Sequence, residues 1–394
     1  MNDTYDVVVV GGGPAGSTAA NDLARRGYRV MLLDRAGRIK PCGGAIPPRA
    51  IQDFDIPDHL LVAKARSARM IAPSGAKVDI PIEGGFVGLV DREVFDEWLR
   101  ERAAAAGAVR ADGRFHNVGK DTDGCSTVSY VDGRDESRHT VRAKAIIGAD
   151  GAKSAVAQQT VPDAANTKYV FAYHEIVQAP AVKPADYDGT RCDVFYQGHL
   201  SPDFYGWVFP HGDTLSIGTG SADKGFSLRH ATTALREAVG LRDAVTVRRE
   251  GAPLPMKPLK YWDNGRDVVL AGDAAGVVAP SSGEGIYYAM EGGRQAGDAV
   301  HEFLSTGDAR CLANARKRFM RAHGKVFWVL GIMQHFWYSS DKRRERFVAM
   351  CRDKDVQRLT FDAYMNKRLV RSKPFAHVKI FLKDMAHLLG LAKV

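Results

Sequence analysis

The chain has 394 residues, 45% of them hydrophobic and 26% charged, and its formal net charge is +9. That length permits two domains, and the composition is typical of a globular protein rather than a disordered chain. The five cysteines are scattered without metal-type spacing, which argues against a bound metal and disulfides and favours a reducing compartment. No apolar run reaches the roughly twenty residues that span a bilayer, and the chain opens on a strand pattern, so we expect no transmembrane helix and no signal peptide.

The first glycine-rich segment follows an apolar run at residues 7–10, which predicts a strand buried on both faces. A G-x-G-x-x-G pattern then opens a predicted helix, and its glycines let the backbone approach a pyrophosphate. A second predicted strand, residues 29–33, ends at an acid whose carboxylate can accept hydrogen bonds from a ribose hydroxyl. The segment therefore predicts a dinucleotide-binding unit with these cofactor-binding residues: Gly11, Gly13, Ala15, Gly16, Asp34 and Arg35.

The next part of the chain begins with a shaped loop. Residues 39–47 contain one cysteine, two glycines and bracketing prolines, a composition that favours neither helix nor strand. The patterns that follow predict a hairpin over 66–90, a helix over 93–106, a strand pair over 128–131 and 140–143, and a buried strand over 145–147. The last strand leads into Gly148-Ala149-Asp150-Gly151, a second junction of small residues with an acid.

The pattern changes after residue 169. Short runs rich in aromatic and β-branched residues (169–176, 192–196, 205–209 and 215–219) and one helix near 228–238 predict a mostly antiparallel sheet. Residues 267–276 again have the pattern of the dinucleotide-binding unit, and they precede a predicted helix over 285–304. The last ninety residues have a helical pattern. We predict three regions: a nucleotide-binding domain over 1–160 to which 264–305 return, a sheet-containing substrate domain over 161–263, and a helical region over 306–394.

Three glycine–acid junctions, at 11–34, 148–151 and 272–276, together resemble the flavoprotein hydroxylase fold. The resemblance implies an α/β protein: a Rossmann-type FAD-binding domain with a mostly antiparallel β-sheet substrate domain and a C-terminal helical region. In that family the acid at the position of Asp273 binds the ribityl chain, and the acid at Asp150 lies near the pyrophosphate. The helix that opens at residues 280–285 is expected beside the flavin, where its positive dipole end stabilises the reduced ring. The resemblance adds these cofactor-binding residues: Asp150, Gly151, Gly272, Asp273, Gly283, Gly285 and Ile286.

A second resemblance rests on Tyr205-x-Trp207-x-Phe209-Pro210, on Gly218-Thr219-Gly220 seven residues later, and on the loop around Cys42. These segments are similar to the geranylgeranyl reductases, most of all to the bacteriochlorophyll and chlorophyll branch, over most of residues 1–310. In that family the aromatic segment lines an apolar cavity for the isoprenoid, and the Cys-Gly-Gly loop lies near the flavin. An isoprenoid chain carries no polar group, so a protein can bind it only through the shape and the aromatic walls of a cavity. The resemblance implies Cys42 and Tyr205 as catalytic residues and Gly43, Gly44, Trp207 and Phe209 as substrate-binding residues, although Tyr205 and Trp207 also fit a pair in a sheet core.

The resemblance implies an FAD-dependent reductase that saturates the geranylgeranyl tail of bacteriochlorophyll or chlorophyll, or geranylgeranyl diphosphate, stepwise to phytyl. NADPH is the expected electron donor, and because no second dinucleotide fold is visible, it would visit the flavin transiently. Each reduction adds a hydride to one alkene carbon and a proton to the other, and Cys42 is the candidate proton donor. The alternatives are an archaeal-type membrane-lipid reductase, an oxygen-using flavin monooxygenase or halogenase, and a non-catalytic membrane-binding flavoprotein.

The C-terminal region is strongly basic: residues 310–394 hold 20 of the 55 Lys and Arg but only 6 of the 46 Asp and Glu. Aromatic residues at 327–338 are flanked by Lys325 and by Lys342-Arg343-Arg344, and a second basic stretch covers 379–383 with Leu388-Leu389 beyond it. This mixture is typical of a helix on an anionic membrane, but it fits a helix packed on its own body equally well. We expect a peripheral enzyme on the cytoplasmic side of the photosynthetic membrane, near the pigment-esterifying synthase, with no nucleic-acid partner.

Overall fold

The computed structural model describes residues 4–37, 39–180 and 186–358, together with Met365 and Lys367. The strands in these ranges are β1 (Thr4–Val10), β2 (Val30–Asp34), β3 (Ala45–Ile46), β4 (Leu61–Ala65), β5 (Ser67–Ile71), β6 (Lys77–Pro81), β7 (Val87–Val90), β8 (Val109–Lys120), β9 (Ser126–Asp132), β10 (Arg138–Gly148), β11 (Val170–Gln178), β12 (Arg191–Phe195), β13 (Gly206–His211), β14 (Thr214–Ser221), β15 (Thr246–Leu254) and β16 (Val268–Leu270).

The helices are α1 (Pro14–Arg25), α2 (Pro48–Asp53), α3 (Arg92–Ala105), α4 (Ala155–Thr160), α5 (Leu228–Ala238), α6 (Ile286–Thr306), α7 (Asn314–Trp337) and α8 (Asp341–Met350). Short 3₁₀ turns lie at Asp58–Leu60, Ala164–Asn166, Gly272–Ala275 and Ala309–Ala313. Among the helices of the described ranges, none is long and apolar enough to cross a membrane.

The described residues divide into two compact units. The first is drawn from the described residues within 1–41, 92–169 and 253–324, and the second from those within 42–91, 170–252 and 325–394. These boundaries differ from the predicted ones, which placed 42–91 in the nucleotide-binding domain and made a separate region of everything after 306. Residues 42–91 belong to the second unit because β5 pairs in parallel with β12, a contact between distant segments that no local sequence pattern indicates.

The first unit contains a six-stranded sheet in which β1 lies between β2 and β10. The pairs of β1 with β2, β2 with β8, β1 with β10 and β10 with β16 are parallel, and β9 runs antiparallel to β8 and β10. Val10 is opposite Gly148, and Gly148 is opposite Leu270. The carboxyl ends of β1, β10 and β16 therefore meet at one edge of the sheet, which brings the three glycine–acid junctions together.

The second unit contains a seven-stranded sheet in the order β15-β11-β14-β13-β12-β5-β6, beside a small sheet in the order β3-β7-β4. The pairs of β11 with β14, β14 with β13 and β13 with β12 are antiparallel. Alternation along these strands gives the large sheet two different faces. Val208, Leu215 and Ile217 pack in a hydrophobic core with Leu235 of α5, so Trp207 and its alternate neighbours lie on the opposite face.

The predicted helical character of the C-terminal region is confirmed by α7 and α8 for the part of it that the structure describes. The second basic stretch, at 379–383, and the Leu388-Leu389 pair lie outside the described residues.

Candidate functional site

The first two glycine-rich junctions interlock through their backbones. Gly11 has φ +104°, and a β-carbon on it would lie 2.3 Å from the Ala149 carbonyl oxygen. A β-carbon on Gly16 would lie 1.8 Å from the Gly11 carbonyl oxygen. Two glycines of the motif are therefore required by the packing of the protein itself, before any ligand is considered.

The middle glycine of the motif has a different environment. Gly13 is the N-cap of α1, with Pro14 as the first helical residue, and no atom of the described chain comes within 4 Å of a β-carbon built on it. The first-turn N–H groups of a helix have no intrahelical partners and favour an anion. Gly151, after β10, is equally open. The space above Gly13 and the dipole of α1 fit the pyrophosphate of a dinucleotide.

Asp34 lies at the end of β2, next to Gly12 and to an arginine of α3. Arg100 Nη1 lies 3.3 Å from Asp34 Oδ2 and also 3.3 Å from the Gly12 carbonyl oxygen. Burial raises the pKa of Asp34 and outweighs the lowering by nearby N–H groups and by Arg100. Arg35, the next residue, is exposed. The sequence analysis missed Arg100 because it is 66 residues away from Asp34.

The acid of the second junction is engaged inside the protein. Asp150 accepts hydrogen bonds from the Ser154 hydroxyl and from the backbone N–H groups of Ala155, at 2.7 Å, and Val156, at 3.2 Å. It thus caps the N-terminus of α4 together with Ser154. Burial raises the pKa of Asp150. The structure gives this carboxylate a structural partner, and its contact with a cofactor stays a prediction.

The third junction brings together an acid, a lysine and the start of α6. The Asp273 side chain, only 7% exposed, forms an ion pair with Lys40, a residue of the 39–47 loop to which the sequence analysis assigned no role. A β-carbon on Gly285, the N-cap of α6, would lie 3.8 Å from Asp273 Oδ1. Ile286 follows as the first, buried residue of α6. This arrangement holds a carboxylate beside a helix N-terminus, where it can accept hydrogen bonds from the hydroxyls of a polyhydroxyl chain.

Backbone conformations in the preceding loop fit a shaped ligand site. Gly283 has φ +65°, and Ser281, which is 1% exposed, has φ +61° although it is not a glycine. In a residue other than glycine this left-handed conformation costs free energy, and such residues cluster at ligand sites. Gly272, at the start of the 3₁₀ turn, packs so closely that its β-carbon would lie 2.7 Å from Ala15 Cβ.

In the second unit, the Cys-Gly-Gly loop packs on the aromatic strand β13. A β-carbon on Gly43 would lie 3.4 Å from Phe209 Cδ2 and 3.8 Å from Trp207 Nε1. A β-carbon on Gly44 would lie 2.6 Å from His211 Nε2. The structure therefore joins all four predicted substrate-binding residues into one cluster, although the two segments are far apart in sequence. Within the loop, the Gly44 N–H donates to Cys42 Sγ at 3.4 Å.

Aromatic rings line the same face of the sheet. Tyr205 is 8% exposed, and its ring centroid lies 4.2 Å from that of Phe204 and 6.0 Å from that of Trp207. The Trp207 and Phe209 centroids are 6.3 Å apart. We call Tyr205, Trp207 and Phe209 the aromatic wall. Its apolar surface suits an isoprenoid, and its burial also fits the alternative of a sheet core.

The C-terminal helices divide the aromatic residues between interior and surface. Phe327, Leu330 and Tyr338 are buried, whereas Trp328 is 69% and Ile332 is 48% exposed. The predicted basic flank at 342–344 needs a correction. Arg344 is buried, and its guanidinium donates to the carboxylate of Asp341 and to the backbone carbonyls of Pro202 and Tyr338. These three oxygens satisfy its charge inside the protein. It is therefore not part of an exposed basic flank.

Comparisons with known proteins assign the cofactors. The model of the FAD binding domain family matches residues 62–325, and that of the NAD(P)-binding Rossmann-like domain matches residues 9–66. These matches support FAD and a nicotinamide cofactor, in agreement with the open dinucleotide site around Gly13.

Two relatives and one solved structure are similar to most of the chain. Geranylgeranyl diphosphate reductase of Rhodobacter capsulatus is 59% identical over 387 residues, which are 98% of each protein. Digeranylgeranylglycerophospholipid reductase of Methanocaldococcus jannaschii is 30% identical over 86% of each protein. The crystal structure of a geranylgeranyl bacteriochlorophyll reductase-like protein from Thermoplasma acidophilum superposes with a TM-score of 0.82 at 22% identity, over 95% of this chain and 99% of that chain.

Proposed function

Because the chain belongs to the family of FAD-dependent geranylgeranyl reductases, we propose that it saturates the geranylgeranyl tail of bacteriochlorophyll or chlorophyll, or geranylgeranyl diphosphate, stepwise to phytyl. The observation that carries the proposal is the 59% identity, over 98% of both proteins, to the Rhodobacter capsulatus geranylgeranyl diphosphate reductase. The second candidate, reduction of an archaeal-type membrane lipid, is supported by the lower identity, 30%, to the Methanocaldococcus jannaschii protein. NADPH is the proposed electron donor.

We propose that FAD is held mainly by backbone. The open N-terminus of α1 at Gly13 takes the pyrophosphate, Asp34 takes a ribose hydroxyl, and Asp273 takes the ribityl chain. When bound, FAD supplies the hydride. The protein must then hold each double bond of the tail in turn, exclude water and deliver a proton.

The aromatic wall is proposed to hold the tail. Because the tail is apolar, the wall acts through shape and burial. A gap in the wall should therefore hold each successive double bond less firmly in its reactive position. Trp207→Ala should therefore release dihydro and tetrahydro tails before reduction is complete. A loss of stability with a fully reduced product would identify Trp207 as a core residue only.

The proton that completes each reduction has two proposed donors. Cys42 belongs to the loop that packs on the wall through Gly43 and Gly44, and the Tyr205 hydroxyl is the alternative. Either group would give its proton to the alkene carbon that does not receive the hydride, and would regain one from solvent.

One assay tests the function and its rivals. The FAD-loaded enzyme is incubated anaerobically with NADPH and, in separate reactions, geranylgeranyl-bacteriochlorophyll, geranylgeranyl diphosphate and an unsaturated archaeal-type lipid. Products are analysed by mass in steps of two hydrogens. We expect up to three such steps on the first two substrates and little change in the third. Oxygen-dependent product formation would instead indicate a monooxygenase, and bound FAD that no polyprenyl compound reoxidises would indicate a non-catalytic flavoprotein.

We also propose that the enzyme binds an anionic membrane surface through α7, where it would lie beside the synthase that esterifies the pigment. The exposed side chains of Lys325, Trp328 and Ile332 are spaced by three and four residues and so share one helix face. An exposed tryptophan next to a cation is typical of an interfacial helix.

The membrane proposal is tested by vesicle flotation. Trp328→Ser with Lys325→Gln should weaken binding to anionic vesicles, and raised salt should weaken wild-type binding. The control Lys224→Gln removes one exposed positive charge outside α7 and should bind like wild type. Salt-insensitive binding, or equal loss in the control, would argue that α7 is only a structural helix.

A further inference from the structure

The indole of Trp207 lies across strand β14. Trp207 is opposite Gly218 on one side of that strand, and His174 of β11 is opposite Gly218 on the other. A β-carbon on Gly218 would lie 2.6 Å from Trp207 Cζ2 and 2.5 Å from His174 Cβ. A glycine at position 218 therefore leaves the room in which the indole reaches toward β11.

A chain of buried polar groups lies behind the indole. Trp207 Nε1 donates to Ser216 Oγ at 3.1 Å, and Ser216 Oγ lies 3.0 Å from His174 Nδ1. His174 Nε2 in turn lies 3.0 Å from Glu250 Oε2. Arg248 forms an ion pair with the same carboxylate. Ser216 is fully buried, and His174 is 2% exposed.

The direction of the first link in this chain is fixed. An indole N–H can only donate, so Ser216 Oγ accepts from Trp207, whereas the direction of its contact with His174 Nδ1 depends on the tautomer of the imidazole. On the other side of the ring, His174 Nε2 faces the Glu250 carboxylate. Burial raises the pKa of Glu250, but the contacts with His174 and Arg248 outweigh burial and lower it. Glu250 is thus a stable acceptor at the end of the chain.

We propose that Ser216 and His174 are positioning residues that fix the rotation of the Trp207 indole and thereby set how completely the isoprenoid tail is reduced. This inference rests on the proposed function, which places Trp207 in the wall that holds the tail. The hydrogen bond from the buried indole N–H to Ser216 favours one rotation of the ring. Without that acceptor no rotation satisfies the N–H in this way, and the ring loses its preferred orientation. The wall then becomes wider and less regular, although its apolar atoms are all still present.

The test compares two buried serines of the same strand. Ser216→Ala removes the acceptor of the indole. The matched control is Ser221→Ala, because Ser221 is 1% exposed, makes two hydrogen bonds (to Asp203 and from the Asp223 N–H), and lies on the opposite face of β14. If Ser216→Ala does not fold, Ser216→Cys keeps the shape of the site with a weaker acceptor.

Two readouts are taken on the FAD-loaded enzyme. In ¹⁵N-tryptophan-labelled protein the five indole N–H signals are resolved by NMR, and Trp207→Phe identifies the signal of Trp207. Ser216→Ala should shift this signal and speed its exchange with solvent, and Ser221→Ala should not. Partly reduced tails should accumulate about fivefold in Ser216→Ala, the effect of one net hydrogen bond. His174→Asn, which retains an acceptor near the Nδ1 position, should resemble wild type more closely than His174→Ala does.

The outcomes separate this inference from the proposed function. An unchanged indole signal in Ser216→Ala, or equal product changes in both serine variants, would overturn the positioning role. A changed signal with a wild-type product pattern would show that the indole is anchored but does not control reduction, which also overturns it. If wild-type enzyme reduces no geranylgeranyl substrate, the proposed function fails, whereas the NMR comparison still decides whether Ser216 holds Trp207.

Discussion

The two units build their candidate sites from different material. In the first unit the site consists mainly of backbone and of glycines. Where these glycines pack closely, as Gly11 does on the Ala149 carbonyl oxygen, there is no room for a methyl group. In the second unit the site consists of side chains, with an aromatic wall in front of a buried polar chain. A site made of backbone should fail completely when altered, because the loops cannot yield. A site made of side chains should lose function by degrees.

The largest expected effect is that of Gly11→Val in the first unit. The new side chain would be strained at φ +104° and would meet the Ala149 carbonyl oxygen, so we expect protein with little or no FAD. The flavin absorbance per polypeptide of the purified protein measures this. Gly27→Val is the matched control, because Gly27 also has a positive φ of +85° but has no described atom within 4 Å of its β-carbon position. It should lose some stability and keep its flavin; equal FAD loss in both variants would refute the steric explanation.

Cys42→Ala should give the next largest effect, and it tests the graded behaviour of the second unit. If the thiol delivers the proton, the variant should bind FAD normally and accept hydride from NADPH, yet its reoxidation by substrate should slow by roughly 10²–10⁴-fold. Anaerobic stopped-flow measurement of the two half-reactions separates these steps. Cys42→Ser should fall between the two. Reoxidation within a few-fold of wild type would mean that the proton comes from elsewhere, from Tyr205 or from an ordered water.

The same contrast explains what the sequence could predict. The first-unit site depends on short spacings such as Gly11 to Gly16, and a local pattern is enough to recognise it. The Ser216–His174 pair joins residues 42 positions apart through the pairing of β11 with β14, and no local pattern marks either residue. Arg344 was misassigned for a related reason: a basic run is usually solvated, and only the fold places three oxygen acceptors around this one guanidinium.

A smaller effect is expected from Lys40→Met, which tests whether a side chain also matters in the backbone-built site. The change leaves the buried Asp273 carboxylate without its cation, so FAD-free protein should lose about 1–2 kcal/mol of stability, less than for a fully buried pair because Lys40 is 34% exposed. FAD affinity should fall several-fold, since the carboxylate loses its fixed orientation. Lys120→Met breaks a comparable pair with Asp267 in the same unit and should lower stability without weakening FAD binding. Equal FAD affinity in both variants would contradict a role for Lys40.

The last prediction concerns the pH dependence of the stability of the second unit, which depends on His211, the residue against which Gly44 packs. Burial lowers the pKa of His211 from 6.5 to about 4, an effect opposed by the Phe209 carbonyl and Asp91 and supported by His174 and Arg248. Between these two pH values the unfolded chain binds a proton that the folded protein excludes. The free energy of unfolding should therefore fall as pH drops from 6.5 toward 4, by at most about 1.4 kcal/mol per pH unit from this group.

His211→Gln removes that titration, so its stability should depend less steeply on pH than that of wild type across the same window. Urea unfolding at half-unit pH steps measures the slope, and His59→Gln, which alters an exposed histidine of the same unit, should leave it unchanged. Above pH 7 the His211→Gln variant should be no more stable than wild type, because the His211 imidazole is then neutral in both the folded and the unfolded protein. A slope identical to that of wild type below pH 6.5 would mean that His211 is already solvated in the folded protein, and that the Cys-Gly-Gly loop does not seal this end of the aromatic wall.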